Sequence, residues 1–410
     1  MFSTFLARLV ALLTLLALAL VAAPAQAQPA IASESLTVAL GDGWQSQGML
    51  TYPAGAAGRL PAVILLNNTG TDMDFTMPPF VGGPAAPYKD LAESLSARGI
   101  AVFRFNMRYV TSADEADGAK VGAMKMTDHL ADAEAILALA QQHPRVDPKR
   151  IFFHGWSASS PVATAVAARH PELAGLILQG PVASTERQIY IEDYERVVLP
   201  YVLRFAPNGQ ISADALGQAT SSEGAWFAKS VSFDLTDPAS PDVIKVNPLL
   251  DTNKDGVLDL NGEVRPNLGA LVDSDPVGFI AYMRGLPDVY SQAASIRVPV
   301  LILQGENDPS TRLINTSGLK QAFAAHPDFT FKVYPGLGHS LSPTPSMVDD
   351  RLNLLAAGPK ADYAAWVLAH AQPTPAALPK TGGGQSMLLL ILLVALGALG
   401  LGLGLRRARA

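Results

Sequence analysis

Short apolar runs alternate with helical patterns along most of this chain, and that alternation limits the possible folds more than any other feature. Continuous apolar runs are typical of strands buried on both faces of a sheet, and they occur at 60–66, 100–105, 151–154, 173–179, 298–303 and 329–334. The segments 87–98, 124–142 and 363–370 have apolar residues at helical spacing. Two alternating runs at 35–40 and 45–52, joined by a turn at 41–43, predict an amino-terminal hairpin. The order predicts an α/β fold whose mostly parallel sheet carries helices on both faces.

The alternation stops between residues 181 and 297, which follow the run 173–179 and precede the run 298–303. A compact α/β fold rarely contains so long a segment as a plain loop. The segment begins at the carboxyl end of a strand, the edge where ligands bind in such sheets. We therefore expect an inserted cap that forms a lid over the site.

The run 151–154 continues as Gly155-Trp156-Ser157-Ala158-Ser159-Ser160 and then as a helix of small residues, 161–168. A serine at a sharp turn between a strand and a helix presents its hydroxyl when the residues two positions before and after it are small. Gly155 and Ser159 meet this condition, although Ser159 stands where a second glycine is usual. The pattern predicts that Ser157 is a nucleophile. Ser159 and Ser160 fall inside the helix, where their hydroxyls would not be presented.

A serine hydroxyl needs a base to activate it, and the base needs an acid to orient it. Asp308 follows the run 298–303, and His339 follows the run 329–334. Alone, Asp308 would be an ordinary helix cap and His339 an ordinary loop histidine. Because all three side chains follow predicted strands in the order serine, acid, histidine, we predict a catalytic triad. Glu306 is the alternative acid, though spacing favours Asp308.

The remaining histidines have plainer interpretations. His154 ends the strand before Ser157 and is expected to be structural or to line a pocket. The others lie on or beside predicted helices and are expected on the surface: His129, His143, His170, His326 and His370.

Backbone N–H groups are expected to stabilise an oxyanion. One comes from Ala158, directly after the nucleophile. The other comes from the loop after the run 60–66, where Thr69 is the predicted donor. Asn67 and Asn68 in that loop either add an amide donor or twist the loop and weaken the oxyanion hole.

Three segments resemble the EstD-like bacterial carboxylesterases: 67–74 (NNTGTDMD), 87–95 (PYKDLAESL) and 98–108 (RGIAVFRFNMR). That family has approximately H-G-S-G-x-x-D-R-D, a helix, and R-G-I-A-V-L-R-Y-D-x-R-G there. The resemblance covers most of residues 45–345. It implies ester hydrolysis on an α/β-hydrolase fold, with Ser157, Asp308 and His339 as the triad. The chain departs from the family at Asn67-Asn68, at Ser159, and where Asn106 and Tyr109-Val110 replace Asp and Gly.

A segment inside the predicted cap, 251–263, has the spacing of a calcium-binding loop. Oxygen ligands recur at alternate positions, a glycine occupies position 6, and the glutamate comes one residue later than usual. The predicted ligands are Asp251, Asn253, Asp255, Val257, Asp259 and Glu263. The plain alternative is a solvated turn rich in Asx residues. Bound calcium would stabilise the cap, and we predict no cofactor for catalysis.

The amino terminus has the pattern of a signal peptide. Arg8 precedes an apolar run, and Ala25-Gln26-Ala27 provides a small-x-small cleavage site. Residues 1–27 are therefore predicted to be removed, with cleavage before Gln28. An uncleaved membrane anchor is the alternative.

The carboxyl terminus contains, in order, the segments that are typical of a surface anchor. After the α/β-hydrolase domain (28–370), residues 371–382 form a proline-rich spacer ending in Leu378-Pro379-Lys380-Thr381-Gly382. An apolar stretch, 387–405, is long enough to span a bilayer, and a basic tail, 406–410, favours the cytoplasmic side. Together these resemble the sorting signal of sortase-anchored bacterial proteins, with cleavage after Thr381. The alternative is a plain membrane anchor. Both place the enzyme body on the cell surface.

Composition narrows the partners. The chain has a net charge of −6, and removal of both predicted end segments would lose four arginines and no acid. Such an acidic body argues against nucleic acid as a partner. The chain has no cysteine, so an exported form would be stable without disulfides. We expect a secreted, surface-anchored serine hydrolase acting on small-molecule esters. The alternatives are a serine peptidase of the same fold and an inactive hydrolase fold that binds ligands.

Overall fold

An eight-stranded sheet forms the centre of the computed structural model, which describes residues 30–67, 70–77, 85–240, 242–276 and 278–372. Its strands are β1 (Ile31–Ala39), β2 (Gln45–Pro53), β3 (Leu60–Leu66), β4 (Ala101–Phe105), β5 (Val146–Trp156), β6 (Gly175–Gln179), β7 (Val300–Gly305) and β8 (Phe329–Tyr334). Their order across the sheet is β1-β2-β4-β3-β5-β6-β7-β8. Short two-stranded ribbons pair Val110–Ser112 with Glu115–Ala116 and Gln210–Ser212 with Val257–Asp259.

The sheet is antiparallel only at its amino-terminal edge. β1 pairs with β2, and β2 with β4, in antiparallel register. From β4 across to β8 every neighbouring pair is parallel. Parallel strands end at a common edge, so the segments that follow β3, β5, β6, β7 and β8 meet there. The predicted α/β class and mostly parallel sheet are confirmed.

Fourteen α-helices connect or cover the strands within the described residues. They are α1 (Pro87–Ser96), α2 (Gly118–Ala123), α3 (Met126–Gln142), α4 (Ser160–Arg169), α5 (Arg187–Asp193), α6 (Leu199–Val202), α7 (Ala213–Ser221), α8 (Trp226–Ser232), α9 (Arg265–Ser274), α10 (Phe279–Met283), α11 (Val289–Gln292), α12 (Leu313–Thr316), α13 (Leu319–Ala322) and α14 (Ala357–His370). In the described part of the chain, none of them is both long and apolar enough to cross a membrane.

Two apolar cores lie on opposite faces of the sheet, as alternation along β3 illustrates. Ile64 and its second neighbours in the strand pack into one core, which includes the buried faces of α3 and α4. Val63 and Leu65 point into the other core, beneath α1 and α14. Because successive side chains of a strand point to opposite faces, a continuous apolar run is what a doubly covered strand requires.

The segment between β6 and β7 has a third apolar core of its own, which extends from Tyr194 to Val272. It combines α6 to α9 with two π-helical turns, Tyr194–Val198 and Leu260–Val264. From Met283 onward, side chains such as Val289 and Ile296 instead pack into the core of the sheet. We call residues 181–282 the cap. The cap is therefore held together by its own apolar core as well as by its contacts with the sheet.

Candidate active site

Ser157 lies at the turn between β5 and α4, with a left-handed backbone (φ 53°). A residue other than glycine adopts this conformation only under strain, and such strain concentrates at functional sites. A Cβ built at Gly155 would lie 2.7 Å from the Cβ of Ala163 and 3.0 Å from the carbonyl oxygen of Ser159. Only glycine therefore allows the strand to pack this closely against the helix.

Ser159 fixes this turn rather than facing the site. Its hydroxyl accepts from the Trp156 N–H at 2.9 Å and lies within hydrogen-bonding distance of the Leu66 and Trp156 carbonyl oxygens. It is fully buried. The Ser160 hydroxyl donates to the Ser157 carbonyl oxygen at 2.5 Å. Serine in place of the usual second glycine thus ties the end of β3 to the nucleophile turn.

Asp308 and His339 meet at the carboxyl ends of β7 and β8. Asp308 Oδ2 lies 2.7 Å from His339 Nδ1. The other carboxylate oxygen accepts the backbone N–H groups of Ser310 and Thr311, each at 2.9 Å, and the Thr311 hydroxyl donates to Oδ2 at 2.8 Å. With Nδ1 engaged by the carboxylate, Nε2 is the imidazole nitrogen left to exchange a proton.

Two tryptophans lie against the imidazole. Trp156, next to the predicted nucleophile, has its ring centroid 5.5 Å from that of His339, and its Nε1–H donates to the His339 carbonyl oxygen at 3.1 Å. Trp226, from the cap, stacks on His339 with a centroid distance of 5.3 Å and an interplanar angle of 25°. The ring of His339 is thus held by one residue of the sheet and one of the cap.

Gly180 lies directly against the Asp308–His339 pair. It follows β6 with φ 44°, and a Cβ built there would lie 2.8 Å from Asp308 Oδ2 and 3.1 Å from His339 Nδ1. Both the backbone conformation and the contact require glycine.

A cavity of about 570 Å³ opens over Ser157 and His339. The end of the sheet contributes Trp156, Ala158 and Thr311, and the cap contributes most of the remaining wall. Its described lining is mainly aromatic and aliphatic: Phe75, Met77, Trp156, Val182, Ile189, Tyr190, Tyr194, Trp226, Phe227, Val231, Val272, Phe279, Ile280 and Leu352. An apolar cleft with a few converging polar groups is the usual form of a small-molecule site.

The acidic groups in the described cavity wall are the carboxyls of Asp193, Asp234 and Asp275. Burial raises the pKa of the Asp234 carboxyl to about 6, although the Tyr194 hydroxyl donates to it at 2.5 Å; nearby Asp275 raises the pKa further. Burial also raises the pKa of Asp193, and Arg312 opposes this by donating Nε–H to it at 2.6 Å. The cavity wall is therefore apolar with an acidic bias.

The predicted oxyanion donors are described only in part. Ala158 lines the cavity in the first helical turn after Ser157, where backbone N–H groups lack helical partners. Thr69 lies outside the described residues, as does Asn68. Asn67 is buried, and its side-chain amide donates to the carbonyl oxygens of Phe105 at 2.7 Å and Asp72 at 2.5 Å. These bonds direct the Asn67 amide to backbone carbonyl oxygens, which argues against the predicted role of an added oxyanion donor.

The calcium-like loop is folded on its own hydrogen bonds. The Asp251 carboxylate accepts the N–H groups of Asp255 and Gly256, and Glu263 accepts those of Thr252, Asn253 and Asp259. Residues Val257–Asp259 continue into the small ribbon. The described residues contain no group of three or more His, Cys, Asp or Glu side chains arranged to hold a metal. The calcium site stays a prediction.

The alternative residues considered for catalysis lie elsewhere. Glu306 is exposed and accepts the Gly336 N–H at 3.2 Å. His154 is fully buried between the rings of Tyr88 and Tyr363, and burial lowers its pKa to about 3. It does not line the described part of the cavity. Of the two roles predicted for His154, the structure therefore favours the structural one.

Two histidines expected on the surface are buried, so that prediction was wrong for them. His129 is 3% exposed and its Nδ1 lies 3.2 Å from the Tyr282 hydroxyl; burial lowers its pKa to about 4. His143 is 9% exposed and packs edge-on against Phe103. Both lie on or at the end of α3, where the helical pattern did not separate the sheet-facing side from the solvent side. His170, His326 and His370 are half-buried.

Several groups in the site had no distinctive sequence signal: Asp350, Trp226, Gly180 and Arg312. Asp350 accepts the His339 N–H at 3.0 Å, and its approach depends on the loop that follows the histidine. The predicted signal peptide (1–27), the predicted sorting residues 378–382 and the predicted membrane span (387–405) lie outside the described residues.

Comparison with known proteins agrees with this geometry. A family model described as "Serine aminopeptidase, S33" matches residues 82–236, and one described as "Dienelactone hydrolase family" matches residues 277–367. Esterase EstD of Thermotoga maritima is 32% identical over 138 residues, which are 33% of this chain. The match spans only 30% of that relative's length.

Solved structures resemble the chain over most of its length. A hypothetical protein from Pseudomonas aeruginosa has a TM-score of 0.50 at 16% identity, over 85% of this chain and 95% of that one. Est1E from Butyrivibrio proteoclasticus has a TM-score of 0.44 at 15% identity, over 82% and 98%. The sheet order and the serine turn are those of the α/β-hydrolase fold, and both family matches fall on this domain. The relative that it resembles by sequence, EstD, is an esterase.

Proposed function

We propose that this protein is a serine esterase that hydrolyses carboxylic esters through an acyl-enzyme intermediate. One observation carries the proposal. Ser157, in a strained turn, lines the same apolar cavity as His339, whose Nδ1 is held at 2.7 Å by the buried Asp308. The partial match to Esterase EstD supports ester as the substrate class.

The mechanism follows from these positions. Nε2 of His339 takes the proton of the Ser157 hydroxyl as the serine oxygen bonds to the ester carbonyl carbon. The Ala158 N–H, at the start of the turn that leads into α4, stabilises the oxyanion, and the Thr69 N–H is the predicted second donor. The imidazolium then gives its proton to the leaving alcohol as the C–O bond breaks. Water, deprotonated by the same imidazole, hydrolyses the acyl-enzyme and restores Ser157.

The cavity supports small, neutral and largely apolar esters as substrates. Its volume of about 570 Å³ accommodates a small molecule with a sizeable acyl or alcohol group. The described wall contributes aromatic and aliphatic surface, with Asp193, Asp234 and Asp275 as its acidic groups. We infer no cofactor for the hydrolysis itself.

Peptide hydrolysis is the second candidate, because the family model over residues 82–236 is described as a serine aminopeptidase. Recognition of a peptide amino terminus needs a carboxylate free to bind an ammonium group. Glu192 and Asp193 are adjacent acids near the site, yet Arg312 donates to both, at 3.0 and 2.6 Å. Arg312 thus neutralises this pair, whereas Asp234 and Asp275 stay in the cavity wall as acidic groups, so a comparison of ester and peptide substrates decides between the two candidates.

We also propose that the enzyme is exported and attached to the cell surface by its carboxyl terminus. The support comes from the sequence of 1–27 and from the pentapeptide, apolar stretch and basic tail between Leu378 and Ala410. Sortase would join Thr381 to the cell wall. Release of the protein by wall-digesting enzyme, rather than by detergent, would distinguish this from retention by the span 387–405.

The test of the main proposal is a substrate panel on the purified protein. We expect a burst of p-nitrophenol from short acyl esters and covalent labelling of Ser157 by a fluorophosphonate, located by mass spectrometry. The Ser157→Ala variant should show neither. Faster cleavage of aminoacyl p-nitroanilides than of esters would support the peptidase, and no turnover or labelling would leave only a binding role.

A further inference from the structure

Asp350 connects the histidine loop with the cap. Its Oδ2 accepts the backbone N–H of His339 at 3.0 Å and the indole Nε1–H of Trp226 at 2.8 Å. The Asp350 carbonyl oxygen also accepts the Trp226 N–H at 2.9 Å. The residue is 1% exposed. One carboxylate oxygen therefore receives donors from two parts of the chain that are 113 residues apart in sequence.

The surrounding backbone fixes Asp350 in this position. A Cβ built at Gly338 would overlap Asp350 Oδ1, so the residue before His339 must be glycine for the carboxylate to approach. On the cap side, Gly224 and Ala225 both have positive φ (77° and 47°) directly before Trp226 begins α8. A close approach that requires glycine on one side and a backbone segment of positive φ on the other thus meet at this carboxylate, which argues against a chance surface contact.

The contact also determines what lies on the imidazole. Trp226 donates to Asp350 and stacks on the His339 ring, with the centroids 5.3 Å apart. Asp350 does not replace the acid of the triad, because His339 Nδ1 is bonded to Asp308. Its two side-chain bonds go to the backbone of the histidine and to the tryptophan that covers it.

We propose that Asp350 is a positioning residue that locks His339 to the cap through Trp226, so that the imidazole is aligned when α8 is seated. The inference rests on the proposed esterase function. An imidazole displaced by about 1 Å can cost about 100-fold in rate. The carboxylate acts here as a shared acceptor, so an amide oxygen in the same place should serve nearly as well.

The test compares kcat and KM of five variants on a p-nitrophenyl ester, per site labelled by fluorophosphonate. Asp350→Ala should lower kcat about 10- to 100-fold with little change in KM. Asp350→Asn should stay within about fivefold of the wild type, because one amide oxygen can accept both N–H groups. Trp226→Phe keeps an aromatic ring but loses the indole donor, and should lower kcat about 3- to 10-fold.

Asp349→Asn is the matched control. Asp349 also links this segment to the cap, through a partly exposed ion pair with Arg204, but it does not bond to His339. Its kcat should equal that of the wild type. In the double variant Asp350→Ala, Trp226→Phe, the effects on kcat should be less than additive, since both substitutions break one bond.

The inference is overturned if Asp350→Ala keeps the wild-type kcat per labelled site, or if Asp350→Asn loses as much activity as Asp350→Ala. Should Asp350→Ala not fold, Trp226→Phe decides, and an unchanged kcat in that variant has the same meaning. A wild-type protein that hydrolyses no ester would instead refute the proposed function, so the two failures are distinguishable.

Discussion

Asp308 and His339 form a hydrogen-bonded pair, 2.7 Å from Oδ2 to Nδ1, and their side chains are 0% and 3% exposed. Loss of the carboxylate should therefore leave the imidazole in the wrong tautomer. We expect Asp308→Asn to lower kcat by about 10³- to 10⁴-fold, as such substitutions do in serine hydrolases with this triad. Ester hydrolysis measured at saturating substrate provides the test.

Glu306→Gln is the control for that substitution, because Glu306 lies two residues away, is exposed and bonds to Gly336. It should retain wild-type kcat. If the effects of the two substitutions were reversed, Glu306 would be the acid of the triad.

A methyl group at position 180 should disturb the same pair. The added Cβ of Gly180→Ala would lie 2.8 Å from Asp308 Oδ2, on a backbone with φ 44°. We expect kcat to fall at least about 10-fold and the protein to lose about 1–3 kcal/mol of stability. Gly217→Ala is the comparison, since a Cβ there meets nothing within 4 Å and the residue lies in α7. That variant should keep full activity and gain about 0.5–1 kcal/mol; equal kcat in both would contradict the prediction.

Asp234 should make stability depend on pH. Burial raises the pKa of its carboxyl from 3.8 to about 6 in the folded state. The folded protein thus holds this proton more tightly than the unfolded chain, so its contribution to stability is complete below about pH 4 and lost as pH rises through 6. Between pH 4 and pH 7, the free energy of unfolding of the wild type should fall relative to Asp234→Asn by about 1–3 kcal/mol.

Denaturant titrations at several pH values measure this difference. Asp214→Asn, at an exposed aspartate of the same cap, should follow the wild type at every pH. Parallel curves for the wild type and Asp234→Asn would show that Asp234 does not titrate in this range.

The acidic bias of the cavity should select against anionic esters. The described wall contains the carboxyls of Asp193, Asp234 and Asp275 and no lysine or arginine. An ester with a free carboxylate would meet like charges in an environment of low dielectric constant. We expect kcat/KM for p-nitrophenyl hemisuccinate to be at least about 10-fold lower than for p-nitrophenyl butyrate. In the Asp234→Asn variant, the difference in kcat/KM between the two esters should be smaller. Equal kcat/KM values for the two esters would refute this prediction.

Calcium binding in the cap can be tested without reference to activity. If the predicted site is occupied, millimolar calcium should raise the Tm of the protein and chelation should lower it. Asp251→Asn combined with Asp255→Asn should remove the response, because both carboxylates are predicted ligands. An unchanged Tm after chelation, with no metal copurifying, would leave the loop as an Asx-rich turn held by its own hydrogen bonds.

The sheet was predictable because its strands are apolar on both faces. β3 and β8 have the bounds that the sequence indicated. The strand before Ser157, β5, is longer, Val146–Trp156, because Val146 already pairs with Leu60 of β3, with an irregular register between that pair and Ile151. The sequence also places Ser157, Asp308 and His339 at strand ends, since their order along the chain follows the order of the strands. The local sequence pattern was sufficient to place these three residues, because the position of each depends on the end of a single strand.

Contacts between distant segments were not predictable in the same way. Asp350 reads as an ordinary loop aspartate, and its bond to Trp226 spans 124 positions. His129 and His143 are buried by the packing of α3, which hydropathy alone did not indicate. The described α-helices of the cap have only four to ten residues each, so their periodicity is too brief to recognise.

The cap packs around its own apolar core, while Asp308 and His339 stand on loops at the end of the sheet. One wall of the cavity can therefore change its side chains, and with them the esters that fit, while the machinery beneath stays as it is. Trp226 is the exception, because it belongs to both parts. Among enzymes of this architecture, the tryptophan should stay the same while the cavity residues around it change. The same reaction would then act on different esters.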